Sequence, residues 1–144
     1  MAADLSDAIR YRMETDATFA ALVGGTGDAA RVFPLQLPQR VTYPAVTYQL
    51  ISRPRLYAGG GNAGLTPDRV QFGIYDPDFA DVVSVAQALK TLWEAFVGTV
   101  AATAGNVVIL GVHFLDERDF HEAAADTAGR YVRQLDARMW WQEP

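Results

Sequence analysis

Cysteine is absent from the 144 residues, which removes disulfides, zinc–thiolate sites and thiol nucleophiles together. That absence fits a reducing compartment. Histidine is scarce: His113 and His121 are the only two. They show no spacing such as HExxH, and a metal site needs three or more convergent ligands. The three serines, Ser6, Ser52 and Ser84, all lack the G-x-S-x-G elbow that would present a nucleophile. A basic leader is missing as well, since Met1-Ala2-Ala3-Asp4-Leu5-Ser6-Asp7 carries acids where a secretory signal carries positive charge. No apolar run approaches the ~18 residues that span a bilayer. These absences lead to the expectation of a soluble protein made in the cytoplasm, with no metal and no membrane partner.

What is present suffices for one core. A chain of this length buries roughly 70% of the surface its unfolded form exposes, and no linker divides it, so one domain over 1–144 is expected. Half of the residues are hydrophobic and a fifth charged, a balance that argues against general disorder. The net charge of -5 makes nucleic acid an improbable main partner, because phosphate affinity comes from Lys and Arg. Charge is unevenly placed. Between residues 31 and 69, Arg31, Arg40, Arg53, Arg55 and Arg69 face one acid, Asp68, giving about +4 there and about -9 elsewhere. Such polarity has two readings, contact between neighbouring copies or ordinary fluctuation along a chain.

The stretch from Pro44 to Tyr75 organises the rest. Val46, Tyr48 and Leu50 alternate in its first part, and Val70, Phe72 and Ile74 in its last, the period-two signature of half-buried strands. Between them, residues 53–67 form an arm much longer than a tight turn requires. Arg53, Arg55, Leu56 and Tyr57 at its root are residue types enriched at protein interfaces, so the arm has two readings, a docking element for another subunit or a disordered loop with no role. Its Gly59-Gly60-Gly61 tip precedes no helix and no Lys-Ser/Thr, so it reads as a hairpin tip and not a nucleotide cradle.

Around this stretch the order is predictable. Leu5, Ile9 and Met13 lie at helical spacing behind Asp4 or Ser6 as N-cap. A short helix over 17–23 is capped by Asp16 and stopped by Gly24-Gly25. Phe79, Val82, Val83, Ala86, Leu89, Trp93 and Phe96 form an apolar stripe on a long helix from Phe79 to Phe96. Gly98 to Gly105 reads as a linker of small residues. Val107 to Phe114 reads as a strand covered on both faces or held centrally, and Asp116-Glu117-Arg118-Asp119 as a charged edge. Residues 121–129 read as a connection with a possible helical turn, and Tyr131 to Trp141 as the last strand. On that strand Arg133 interrupts the apolar face and Arg138 lies on the other, so each needs solvent or a partner. The expected fold is therefore α+β: a mostly antiparallel sheet of about four main strands, one long amphipathic helix packed on a face, and short N-terminal helices.

The features just quoted carry a resemblance. Asp16…Leu22-Val23-Gly24-Gly25 is followed by Arg31-Val32-Phe33-Pro34, then Tyr43-Pro44-Ala45-Val46-Thr47-Tyr48-Gln49 and Leu65-Thr66…Arg69-Val70-Gln71-Phe72. The amphipathic helix, Asp116-Glu117-Arg118-Asp119 and Arg130-Tyr131-Val132-Arg133-Gln134-Leu135-Asp136 complete the series. In order and spacing this resembles the tail-completion or tail-terminator family of long-tailed bacteriophages and gene transfer agents. The resemblance implies a structural, non-enzymatic virion protein with no cofactor and no catalytic residues. It implies a homohexameric ring at the head-proximal end of the tail tube, which stops tube growth and joins the tail to the head. Its partners would be other copies of itself, the tail tube protein and the head–tail connector or head-closure protein, with DNA only passing through. Its location would be the tail and neck of the virion, after assembly in the host cytoplasm. Candidate subunit-interface residues are Arg53, Arg55, Leu56, Tyr57, Arg69, Asp116, Glu117, Arg118 and Asp119. Two alternatives stand beside this: another neck component (head-closure or adaptor protein), and a small hydrolase or ligand-binding domain using the Asp116–His121 cluster.

Overall fold

The computed structural model describes residues 3–62, 64–123 and 129–143. Strands take up 46% and helices 26%, so the architecture is mostly β and not the α+β arrangement expected. Helix α1 (Leu5–Thr15) and helix α2 (Ala17–Leu22) come first, then a single 3-10 turn at Gly27–Ala29. Strands β1 (Val32–Pro34), β2 (Ala45–Ser52), β3 (Tyr57–Ala58), β4 (Gly61–Asn62) and β5 (Leu65–Asp76) follow. Helix α3 (Phe79–Trp93), then β6 (Gly98–Ala102), β7 (Gly105–Glu122) and β8 (Arg130–Gln142), complete the order.

Six strands form one mixed sheet in the order β1-β2-β5-β8-β7-β6. Only the β1–β2 pair is parallel. The two strands beyond the expected four are β1 and β6. β1 is only three residues long, and β6 is built from Gly98-Thr99-Val100-Ala101-Ala102, whose small side chains give little alternation to read. Both gain their structure from pairing: β6 folds back on β7 in register Gly98↔Ile109 to Ala102↔Gly105. β7 is also far longer than the apolar run predicts. It continues through Asp116–Asp119 to Glu122 because β8 pairs with it along that whole length, with bulges at Leu110 and Leu115. The expected helical turn at 121–129 is replaced by strand at His121 and Glu122, and residues 124–128 lie outside the described ones.

All three helices pack against one face. Val46 and Tyr48 (β2), Val70, Phe72 and Ile74 (β5), and Leu135, Ala137, Met139 and Trp141 (β8) form a contiguous core with Leu5, Ile9 and Met13 (α1), Phe19 (α2) and Val82, Val85, Leu89 and Trp93 (α3). α1 contacts β1 and β2 at one edge and β6 and β7 at the other, so the sheet curls until both edges meet the same helix. α3 crosses the middle against β5 and β8.

The helix starts follow the sequence. Asp4 caps α1 in a reciprocal capping box with Asp7, and Asp16 caps α2 by accepting from the Phe19 N–H at 2.9 Å. α3 stops at Trp93, three residues before the predicted end. There Ala95 takes a left-handed φ of 58° and its N–H turns to the Val112 carbonyl of β7.

Candidate assembly surfaces

Of the nine candidate interface residues, those at the arm root have the most unexpected positions. Arg53 sits just past β2 with its side chain 18% exposed, and it points inward. Its Nε donates to both oxygens of Asp68 at 3.0 and 2.9 Å, Nη2 lies 2.8 Å from the same carboxylate, and Nη1 lies 3.0 Å from Asp4. Asp68 is fully buried and also accepts from Trp141 Nε1 at 3.0 Å, while the guanidinium lies over the Trp141 ring at 5.1 Å. Burial works against the charge on Arg53, but hydrogen bonds and attraction from Asp68 and Asp4 outweigh it and hold the group above its ordinary value. Asp4 responds in kind: burial opposes its ionisation, and the Ser6 N–H together with Arg53 still hold it below the usual carboxylate range. Arg53 therefore ties the start of α1 to β5 and β8.

Arg55 pairs with Glu143 beyond the end of β8, which tethers the arm to the C-terminal segment. Leu56 and Tyr57 are exposed, Tyr57 at 75%. The arm is shorter than the 53–67 expected, because Leu65, Thr66 and Pro67 already pair with Gln142, Trp141 and Trp140. What protrudes ends in the β3–β4 hairpin, closed by Ala58↔Gly61 around Gly59 and Gly60. Both turn residues have positive φ, 45° and 107°, as the mirror-image two-residue turn demands, which is why glycines stand there.

The other candidates divide between the two faces of the sheet. Glu117 and Asp119 face the helix side. Arg133 donates to both oxygens of Asp119 at 2.6 and 2.9 Å and lies 3.2 Å from Glu117, which also accepts from Lys90 of α3 at 3.2 Å. These bonds keep Asp119 below and Arg133 above their ordinary values, against the opposing effect of burial. Arg133, the residue that breaks the apolar face of β8, thus has its partners on the neighbouring strand. Asp116, Arg118 and Arg69 face the other way. Arg69 Nη2 donates to Asp136 at 2.6 Å, Gln71 donates to it at 3.1 Å, and Arg118 Nη2 stands 3.9 Å away. Asp136 is buried, which works to raise it, yet Arg69, Gln71 and Arg118 hold it below the usual range.

The structure brings Arg69 and Arg118 together over Asp136, a residue sequence reasoning missed. Arg53 lies close by, since its neighbour Ser52 is paired with Arg69, and Arg55, Leu56 and Tyr57 continue from it into the arm. Asp68 and Asp136 could have been noticed as acids at strand positions flanked by apolar neighbours, but nothing in the sequence assigns their arginines. The segregated charge of residues 31–69 mostly resolves within the molecule. Arg31 donates to the Pro44 and Tyr43 carbonyls, Arg53 and Arg69 hold buried aspartates, Arg55 holds Glu143, and Arg40 alone of the five has no partner among the described residues.

The Asp116–His121 cluster does not converge. Asp116 and Asp119 lie on opposite faces, His121 meets the Tyr131 ring edge to face at 4.9 Å, and among the described residues no group of three His, Asp or Glu could hold a metal. A groove of about 520 Å³ runs between loop residues Gln36–Val41 and the sheet, where Arg130 lies over Tyr75 at 4.7 Å and donates to the Tyr43 hydroxyl at 3.0 Å. No helix among the described residues is long and apolar enough to cross a membrane.

This geometry defines a class by fold: a curled, mixed six-stranded sheet with helices on one face, an open opposite face, and a projecting β3–β4 hairpin. No family model matches the chain, and no curated protein matches it either. Among solved structures, a chain of the "virion of native gene transfer agent (GTA) particle" has the same fold, at a TM-score of 0.63 and 16% identity. The likeness covers 96% of this chain and 92% of that one.

Proposed function

We propose that this protein is a structural component of a virion of the bacteriophage or gene-transfer-agent kind. Within it, the reading we favour is a ring-forming tail terminator that caps the tail tube and joins it to the head connector. The observation that carries the proposal is the nearly end-to-end likeness of fold to a gene-transfer-agent virion chain. The motif order from Asp16 to Asp136 supports the narrower role. Ring closure requires two different patches on each subunit, and the projecting arm supplies one whose apolar side chains are free of the core.

Leu56 and Tyr57 are the arm residues to test, since Arg53 is committed to Asp68 and Asp4. Replacing both with Ala is expected to weaken self-association, seen by native mass spectrometry, while the monomer keeps its stability to within ~0.5 kcal/mol. The role itself is tested in the producing cell. Loss of the gene is expected to leave tails of irregular length, or tails detached from heads, under the electron microscope. Normal joined particles made without the protein would refute the terminator reading.

A further inference from the structure

The arm is held mainly at its root. Its β3–β4 hairpin has no substantial contact with the six-stranded sheet or the helices, and a lone two-stranded hairpin is marginal in water. Its direction is therefore set where its two limbs leave the sheet. The outgoing limb departs from Ser52, which pairs with Arg69, and runs through Arg53, Pro54 and Arg55. Arg53 is already fixed by Asp68 and Asp4, and the proline after it allows little rotation. The returning limb rejoins the sheet at Leu65, opposite Gln142 of β8.

Glu143, one residue past β8, holds both limbs at once. Its N–H donates to the Gly64 carbonyl of the returning limb at 2.9 Å, and its carboxylate pairs with Arg55 of the outgoing limb. The Arg55 side chain is partly exposed and that of Glu143 mostly buried. The second carboxylate oxygen, Oε2, is buried with no hydrogen-bond partner among the described residues, so this charge depends on Arg55 for its compensation. Leu56 and Tyr57, both exposed, come directly after Arg55. Closing the root across Glu143 thus fixes where these two apolar side chains stand.

We infer that Glu143 is a clasp: by holding Arg55 and Gly64 together it fixes the arm in the orientation in which Leu56 and Tyr57 meet a second copy of this chain. The clasp rests on the ring reading above for its partner. Charge exchange tests it. Arg55→Glu and Glu143→Arg each set like charges at the root. Each is expected to speed amide hydrogen exchange of residues 57–62 roughly threefold, the scale of an exposed ion pair, and to weaken self-association by a similar factor. The double variant, Arg55→Glu with Glu143→Arg, should restore both, and raised salt should shrink the differences. Amide exchange in β5 and β8 and the melting temperature should stay as in the wild type, which a general loss of stability would not allow. Arm exchange unaltered in both single variants would overturn the clasp, whatever assembly does. Faster arm exchange with undiminished self-association would overturn its part in assembly. A wild type that stays monomeric at all concentrations would overturn the ring reading and the partner named here, while the exchange measurements still decide the clasp.

Discussion

Single side chains set the strength of this fold where strands meet helices. Asp68 is fully buried, and its charge is tolerable only because Arg53 and Trp141 complete its hydrogen bonds. Removing one partner of such a pair leaves an uncompensated charge, at a cost of roughly 3–5 kcal/mol. Arg53→Glu, which would set a second carboxylate beside Asp68, is therefore expected to destabilise the monomer by at least about 3 kcal/mol in urea unfolding. Assembly defects of that variant would be secondary to unfolding. Asp68→Asn combined with Arg53→Leu should recover much of the loss, because an apolar replacement of both charges removes the desolvation problem. Arg12 plays a comparable part between the helices, where its guanidinium lies 5.4 Å from the Trp93 ring centre and 3.8 Å from that of Phe96, and donates to the Leu92 carbonyl at 2.9 Å.

At the scale of elements, ends and pairings matter more than lengths. α3 presents a broad apolar stripe that continues in sequence to Phe96, yet the helix stops where the Ala95 N–H finds the Val112 carbonyl and its φ turns positive. An L-residue pays a steric penalty in that conformation and glycine does not. Ala95→Gly is accordingly expected to stabilise the protein by about 1 kcal/mol, read as a rise in melting temperature. No change, or a fall, would mean the Ala95 methyl contributes packing that outweighs the strain. The β7–β8 hairpin illustrates the opposite case. Its outer half has little apolar alternation, and its order comes from the cross-strand ladder and the Arg133–Asp119, Arg133–Glu117 and Lys90–Glu117 contacts. Strand formation there depends on the partner strand, so a reading of either segment alone stops the strand too early.

For the whole molecule, acid should be the sensitive condition. Asp4, Asp119 and Asp136 are all held below their ordinary carboxylate values in the folded state. Groups depressed in this way stabilise the protein above the unfolded value, near 3.8, and that stability is lost as pH falls through the lower folded values. Chemical denaturation midpoints are expected to drop steeply below about pH 4. In Asp136→Asn the drop should be shallower, with lower stability at neutral pH. Asp76 acts in the opposite sense: burial raises it above its ordinary value, so its ionisation on going to neutral pH costs stability. Three depressed groups against one raised set the net direction.

Much of the organisation was legible from the chain alone. The caps at Asp4 and Asp16, the alternating residues of β2, β5 and β8, the α3 stripe and the glycine tip of the arm are local signals, each governed by neighbours within a few residues. The count of strands, the curl of the sheet around α1 and the extension of β7 through Asp116–Asp119 were not legible. They depend on pairing between segments far apart in sequence, as when Asp119 meets Arg133 or Gly98 meets Ile109. The same distinction governs charge. Sequence places five arginines between 31 and 69 against a single acid, but only the tertiary fold turns Arg53 inward to Asp68, sets Arg69 on Asp136 and leaves the half-buried Arg138 side chain with no acidic partner among the described residues. A side chain's partner is fixed by strand register and face, and those are properties of the assembled sheet.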